Sequence, residues 1–345
     1  MKLVEVIRPV EASDEVIANL MALGKRMTRV PVEVKDSPGF LVNMGGRAYT
    51  TEGNRIAHEQ VARPEQVDAI MRDCWGFRMG PFELMDLTGI DVNFPVSRII
   101  AGGYFDDHRL LTSPNHEAKF DAGHFGRKTG QGWYRYESGQ PLERPSPDFV
   151  TDAAPVRSVR LVDATPELEA FCAEIGLSDG DGPRLAAPIG EDATSVAVRT
   201  GESHQILACL DLTGDTSKRV TMMTAPGADR EILSGVAAAI TASGRAVTWI
   251  GDSPGFVGQR MVSMIGNLGC YMAEIGLASP EDIDTAMQLG LNYPHGSVSL
   301  VAQLGEVHTL AVLEALQAIT GEDRYRPTMW LRRRAALGLP IHTPA

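Results

Sequence analysis

Nothing in these 345 residues offers a ready-made nucleotide loop. No Gly-x-Gly-x-x-Gly follows a β-prone run, and no Gly-x-x-x-x-Gly-Lys-Ser/Thr is present. The densest glycine stretch, Gly176-Leu177-Ser178-Asp179-Gly180-Asp181-Gly182, carries two carboxylates that would repel a diphosphate, so it reads as a surface turn. As a calcium loop it fails too, because Pro183 stands where a ligand is needed and no Glu closes it. Cys74, Cys172, Cys209 and Cys270 lie far apart without metal-ligand spacing, which leaves buried reduced thiols of a cytosolic protein as the reading. The histidines form no His-Glu-x-x-His, so no metal is expected, and His116 and His124 read as solvated loop residues. Ser37 and Ser253 sit in Asp-Ser-Pro-Gly, which is a turn and no nucleophile elbow. No apolar run approaches a membrane span, no charged-then-apolar leader opens the chain, and the net charge is −12. Nucleic acid and membrane are therefore not expected as partners, and the expected location is cytoplasmic.

What the chain does have is a segment used twice. Asp36-Ser37-Pro38-Gly39-Phe40 returns as Asp252-Ser253-Pro254-Gly255-Phe256, and the offset of 216 then continues without a gap. Residues 36–89 and their counterparts share 15 identities in 54 positions, where chance supplies about four. Such an offset means two copies of one folded unit, and differences between them point to the copy that carries chemistry.

The organisation follows from periodicity. Residues 1–35 read as strand, helix, strand: Leu3 to Ile7, a helix capped near Ser13, and Val30 to Val34. Two parallel strands cannot cover their own faces, so this unit is expected to be the edge of a larger sheet. Residues 36–136 read as helical, with a long helix from Phe40 to about Gln60, a second from Pro64 and a third from Pro81 to Gly89. Residues 137–157 read as a linker. Between 158 and 250, short apolar runs (Ser158 to Val162, Ser195 to Arg199, Gln205 to Leu212, Arg219 to Met223 and Ala246 to Ile250) alternate with helices at 166–175 and 229–243, an α/β pattern. Residues 251–345 repeat the helical unit.

Two polar residues stand out. Glu5 lies inside an apolar strand, where an unpaired carboxylate is costly, so it needs a partner or a cleft; the plainer alternative is an exposed edge-strand carboxylate. Asn43 falls in the first turn of the helix after Pro38-Gly39, where a helix-start hydrogen bond is the alternative to a ligand-facing role. The second copy has Gln259 at the Asn43 position and Thr221 or Met222 near the Glu5 position, depending on one gap.

Four segments in order carry a resemblance. Met1 to Ile7, Val34 to Asn43, Gly80-Pro81-Phe82-Glu83-Leu84-Met85-Asp86 and Gly126 to Tyr134 resemble the 3-hydroxyacyl-CoA dehydrogenases, and Glu281 to Met287 with Gly321 to Pro327 look like the second C-terminal repeat of their longer bacterial members. The resemblance is to the 3-hydroxybutyryl-CoA and 3-hydroxyadipyl-CoA enzymes of fatty-acid and phenylacetate breakdown. It implies a mixed α/β and all-α fold. A remnant of a Rossmann domain (1–35), a helical C-terminal domain (36–136), a linker (137–157), a degenerate Rossmann-like domain (158–250) and a second helical domain (251–345) would follow in turn. It further implies NAD as cofactor, an acyl-CoA substrate, a homodimer, and oxidation of a 3-hydroxyacyl-CoA to the 3-ketoacyl-CoA.

In that family a histidine is the general base, a glutamate about twelve residues later holds it, and an asparagine faces the substrate; Glu5 and Asn43 match the last two. Met44 departs from the arginine that usually follows the asparagine, whereas Arg260 keeps it in the second copy. The histidine and the Gly-rich loop would precede Met1, so a dehydrogenase made of these residues alone is expected to be inert, and residues 150–250 to bind no NAD. A non-catalytic helical assembly module is the alternative.

Overall fold

The computed structural model describes residues 2–142 and 144–344. Strand β1 (Leu3–Arg8), helix α1 (Asp14–Arg26) and parallel strand β2 (Val30–Lys35) open the chain. The Ser13 hydroxyl accepts from the Val16 N–H, and Asp14 and Glu15 place negative charge at the positive end of α1. Helices α2 (Val42–Gly45), α3 (Arg47–His58), α4 (Pro64–Trp75), α5 (Pro81–Thr88), α6 (Ile90–Gly103) and α7 (Pro114–Asp121) follow, closed by a hairpin of β3 (Tyr136–Glu137) and β4 (Gln140–Pro141).

A sheet region comes next: β5 (Ser158–Leu161), α8 (Pro166–Glu174), β6 (Ser178–Ala186), α9 (Ala193–Thr200), β7 (Leu207–Asp211), β8 (Arg219–Met223), α10 (Arg230–Ala242) and β9 (Ala246–Ile250). Its strands lie in the order β5-β6-β7-β8-β9, parallel but for the β7–β8 pair. Helices α11 (Gly258–Glu274), α12 (Pro280–Leu291), α13 (Ser297–Leu304), α14 (Glu306–Thr320) and α15 (Met329–Leu337) complete the chain. No single described helix is long and apolar enough to cross a membrane; α13 and α14 reach that length only together, bent by 96°.

The offset of 216 governs the elements themselves. Helix α10 begins and ends 216 residues after α1, α12 after α4, and α13 after α5, while α11 spans the shifted range of α2 and α3 together. Strand β8 likewise starts 216 residues after β1, so no gap intervenes and Thr221 is the counterpart of Glu5. The repeated Asp-Ser-Pro-Gly-Phe has a backbone cause. Gly39 and Phe40 have φ of +79° and +48°, Gly255 and Phe256 of +72° and +51°. Two successive left-handed residues turn each strand sharply into its helix.

The two sets hold each other reciprocally. The Lys35 N–H donates to the Leu277 carbonyl at 3.0 Å, and the Gly251 N–H to the Val61 carbonyl at 2.7 Å; the second bond is the first shifted by 216 at both ends. A cavity of 650 Å³ bordered by Arg8, Asp36 and Leu277 and one of 480 Å³ bordered by Thr224, Asp252 and Val61 are related in the same way. Reciprocal equivalence is the mark of a two-fold, isologous pair, here within one chain.

Several local readings change. The helix expected over 40–60 breaks at Gly46, where Gly45 and Gly46 let Met287 and Leu291 of α12 approach; a Cβ on Gly45 would lie 2.5 Å from the Met287 sulfur. Ser195–Arg199, read as an apolar run, is helix: the Asp192 side chain accepts from the Ser195 N–H and Gly201 closes the helix in the left-handed region. The glycine-rich stretch runs from a turn at Gly176 into β6, where it forms a bulge: the partner of Val159 is Asp179 and that of Arg160 is Arg184. Residues 137–157 begin in the β3–β4 hairpin and dock on the sheet, with the Phe149 ring 4.7 Å from that of Trp249. His116 is fully buried on α7, not solvated, because α6 lays the Phe94 ring against both His116 and Phe120 of that helix.

Candidate functional site

Glu5, in the middle of β1, reaches the corner where the chain enters α2, whose next residue after Val42 is Asn43. The Glu5 Oε1 accepts from the Leu41 N–H at 2.7 Å and the Val42 N–H at 3.1 Å, so the carboxylate holds the N-terminus of α2. Glu5 is thus neither unpaired nor a free edge carboxylate, and both bonds fall on one oxygen. Asn43 is exposed one residue beyond, and its side chain makes no hydrogen bond among the described residues, so it is no helix cap. Phe40, 40% exposed, borders the same corner. Asn43, Phe40 and Asp36 all present free surface.

The second copy's corner is filled. Gln259 is fully buried; its Oε1 accepts from the Gly190 N–H at 2.9 Å, and its Nε2 donates to the Pro188 carbonyl at 3.1 Å and to Asp211 at 3.2 Å. Asp252 accepts from the Ala193 and Thr194 N–H groups at 2.7 and 3.1 Å, capping α9. Phe256 is fully buried. Residues 188–194 thus occupy the space that is open beside Glu5 and Asn43. Thr221, in place of Glu5, is buried and carries no charge.

Sequence reasoning missed three features. Glu52 of α3 lies fully buried between the copies: Arg260 donates to it at 2.6 Å, Arg324 at 2.9 Å and the Tyr325 hydroxyl at 3.0 Å. Burial pushes its carboxyl pKa up, but the two guanidiniums win and hold it below the ordinary value. Arg260, in the position of Met44, also pairs with Glu59 at 2.8 Å.

Asp68 receives the Phe82 and Glu83 N–H groups and the Tyr134 hydroxyl, and burial followed by the Glu83 charge pushes it up to about 7. Asp86 binds the N–H groups of Trp133 and Tyr134 and the Tyr136 hydroxyl, which explains the aromatic segment closing the first helical set.

Arg47 is the third. It lies one turn after Asn43, buried, with its Nε donating to the Asn43 carbonyl and its Nη1 to Ser97, both at 2.9 Å. The signal was available: no acid stands three or four residues either side, at Asn43, Met44, Thr50 or Thr51.

The family model described as "3-hydroxyacyl-CoA dehydrogenase, C-terminal domain" matches residues 39–136 and again 255–340. The one described as "3-hydroxyacyl-CoA dehydrogenase, NAD binding domain" matches residues 1–37. The 3-hydroxyadipyl-CoA dehydrogenase of Escherichia coli (strain K12) is 35% identical over 341 residues, which cover 98% of this chain and 67% of that protein. A probable 3-hydroxybutyryl-CoA dehydrogenase of Bacillus subtilis (strain 168) is 36% identical over 40% of this chain and 47% of its own length. The crystal structure of a 3-hydroxybutyryl-CoA dehydrogenase from Escherichia coli K12 aligns with a TM-score of 0.85 at 35% identity, over 98% of this chain and 68% of that one. The C-terminal model falls on both copies, and the alignment to a named dehydrogenase runs almost end to end. The chain belongs to the 3-hydroxyacyl-CoA dehydrogenase family.

Proposed function

We propose that this chain carries the acyl-CoA side of a dehydrogenase site that oxidises a 3-hydroxyacyl-CoA to the 3-ketoacyl-CoA. The observation that carries the reading is the contrast of the two corners, one bare with Glu5 and Asn43, the other filled around Gln259. Forming an alkoxide at neutral pH needs a general base, and a carboxylate on the far nitrogen of an imidazole sets its tautomer and steadies the cation. Glu5 Oε2 is suited to that task while Oε1 holds α2. Asn43, exposed on the first turn, is suited to hydrogen-bond the substrate oxygen.

NAD is the cofactor of this family. The residues present do not form its cradle. Residues 1–37 supply two strands and one helix. The five-stranded sheet never reverses its strand order, so it has no switch-point crevice, and the glycines of β6 are flanked by Asp179 and Asp181. We therefore assign the hydride-accepting pocket and the histidine to residues outside this chain, and expect the chain by itself to be inert, cytoplasmic, and free to self-associate. The relatives are named for acyl groups that differ at the far end, adipyl in a carboxylate and butyryl in a methyl. That end is left for this chain's own residues to decide.

The test is NADH formation from 3-hydroxybutyryl-CoA and 3-hydroxyadipyl-CoA by the chain alone and by a version extended N-terminally with a dinucleotide-binding segment. Turnover in the extended form alone supports the reading. Turnover by the short chain would overturn the assignment of base and cofactor pocket, and turnover by neither would leave the helical assembly module standing.

A further inference from the structure

Asn43 is carried by a helix of a single turn, α2, which stops at Gly45-Gly46 before α3 begins. So short a helix does not hold by itself, and two glycines weaken it further. Two charged side chains brace it from opposite ends. Glu5 takes the Leu41 and Val42 N–H groups at its start, and the buried Arg47 donates from Nε to the Asn43 carbonyl at 2.9 Å. A carboxylate on the N–H end and a guanidinium on the carbonyl end both suit the helix dipole. Arg47 is tied down in turn: Nη1 donates to the Ser97 hydroxyl, Ser97 to the Asn93 carbonyl, and Asn93 Nδ2 to the Gly89 carbonyl, each at 2.9 Å. Gly89 is the joint between α5 and α6, so side chains alone connect the Asn43 carbonyl to that joint.

The second copy shows that the scaffold does not require this chain of bonds. Helix α14 starts 216 residues after α6, so the offset reaches this far, and Ser263, Thr309 and Leu313 stand in place of Arg47, Asn93 and Ser97. All three are buried, and the Ser263 and Thr309 hydroxyls meet no partner. Met261 and Val262 replace the two glycines, and α11 runs through them without a break. Where the corner is filled, the helix is continuous, and Thr221 and Ser263 stand where the two braces would be. Where it is open, the helix is interrupted and braced at both ends. Arg47 also has no carboxylate partner among the described residues, unlike Arg109, Arg219, Arg260 and Arg324, so its fork is committed to the carbonyl and the hydroxyl.

We propose that Arg47 is a positioning residue, which acts on the reaction only through Asn43 by holding the one-turn helix that presents it. This rests on the dehydrogenase reading above, in which Asn43 meets the substrate oxygen. A donor aimed at an oxygen where charge develops lowers the barrier only if it is in place beforehand, and a small displacement loses most of the effect. The glycine break frees α2 from the register of α3, and Arg47 fixes where it then stands.

The test has two readouts. In the chain as it stands, Arg47→Met should quicken native-state hydrogen exchange of the Met44 and Gly45 amides roughly 10- to 100-fold and leave those of Met261 and Val262 in α11 unchanged. In the N-terminally extended version, the same change should lower kcat for 3-hydroxybutyryl-CoA by on the order of 10- to 100-fold with KM within about twofold. Arg47→Lys, which keeps a donor for the carbonyl but not the fork, should recover part of both losses. Ser263→Ala, at the matching place in the second copy, should change neither. Should Arg47→Met fail to fold, Ser97→Ala unties the guanidinium with its charge in place and is read in the same way. Unaltered exchange at Met44 and Gly45, unaltered kcat, or a loss that Ser263→Ala shares would overturn the assignment. An extended version that turns nothing over with Arg47 intact would sink the dehydrogenase reading and this role with it, whereas turnover that is indifferent to Arg47 would sink this role alone.

Discussion

Phe40 and Phe256 end the same five-residue motif in the same left-handed backbone, yet Phe40 is 40% exposed and Phe256 is fully buried. The difference lies in what each copy is packed against. Pairs that build the unit itself are retained. Asp68 receives the N–H groups of Phe82 and Glu83 at the start of α5, and Asp284 those of Val298 and Ser299 at the start of α13. A Cβ on Gly80 or Gly296 would lie 2.1 Å from those carboxylates, so both positions stay glycine. Positions that face outward from the unit have diverged: Glu5 against Thr221, Asn43 against Gln259, Met44 against Arg260 and Glu52 against Leu268. The scaffold is symmetric and its contents are not.

The sharpest way to break that comparison is to make the contents alike. Glu52→Leu gives the first copy the residue of the second and leaves Arg324 without a carboxylate, and Arg260 with Glu59 alone, in a dry interface, at an expected cost of about 3–5 kcal/mol. Adding Arg260→Met, the residue of the first copy, should recover part of that loss, Arg324 keeping the rest. Urea unfolding of the two single variants and the double gives the coupling; strictly additive costs would mean that the cluster does not join the copies. The sign with pH also follows. A carboxyl held below its ordinary value of 4.5 contributes stability above that pH and loses it as pH falls further, so Glu52→Leu should flatten this acid limb.

The corners come next in size. In an extended, active version, Asn43→Ala should lower kcat/KM by on the order of 10²- to 10³-fold. The melting temperature should not move, because the side chain is exposed and holds nothing in place. Gln259→Ala should do the reverse. It strands the Gly190 N–H, the Pro188 carbonyl and Asp211, at about 1–3 kcal/mol, with kcat/KM near that of the native protein. Equal losses of activity in the two variants would remove the functional inequality of the corners.

How far these differences were legible depends on their range. The offset, the helix starts at Pro64 and Pro81 and the stop at Gly89 were readable because caps and turns act over three or four residues. Glu5 could be marked as odd in its strand, but not that its partners are the N–H groups of Leu41 and Val42, which the turn at Gly39-Phe40 brings back across 36 residues. The Glu52 cluster spans 208 and 272 residues of sequence, and no local pattern announces it. Ser195–Arg199 misled because Val196 and Val198 favour strand, while the Asp192 cap and Gly201 stop decide for helix.

The smallest expected effect lies at the end of α4, where the copies differ in identity but not in geometry. Gly76 closes α4 at φ +72°, its N–H donating to the Met71 carbonyl; Asn292 closes α12 at φ +56°, its N–H donating to the Met287 carbonyl. A Cβ on Gly76 would meet only Pro294, at 3.7 Å, an ordinary contact. Steric room is therefore not what keeps glycine there, and the left-handed backbone is the remaining cost. That cost is about 1–2 kcal/mol for an ordinary side chain and less for asparagine, which visits this region readily. Loss of glycine also restricts the unfolded chain, which returns roughly 0.4–1 kcal/mol. Gly76→Asn should thus leave the melting temperature close to that of the native chain, whereas Gly76→Val should lower it. Equal losses in both would show that the two helix ends are not interchangeable, and that equivalence between the copies stops short of their caps.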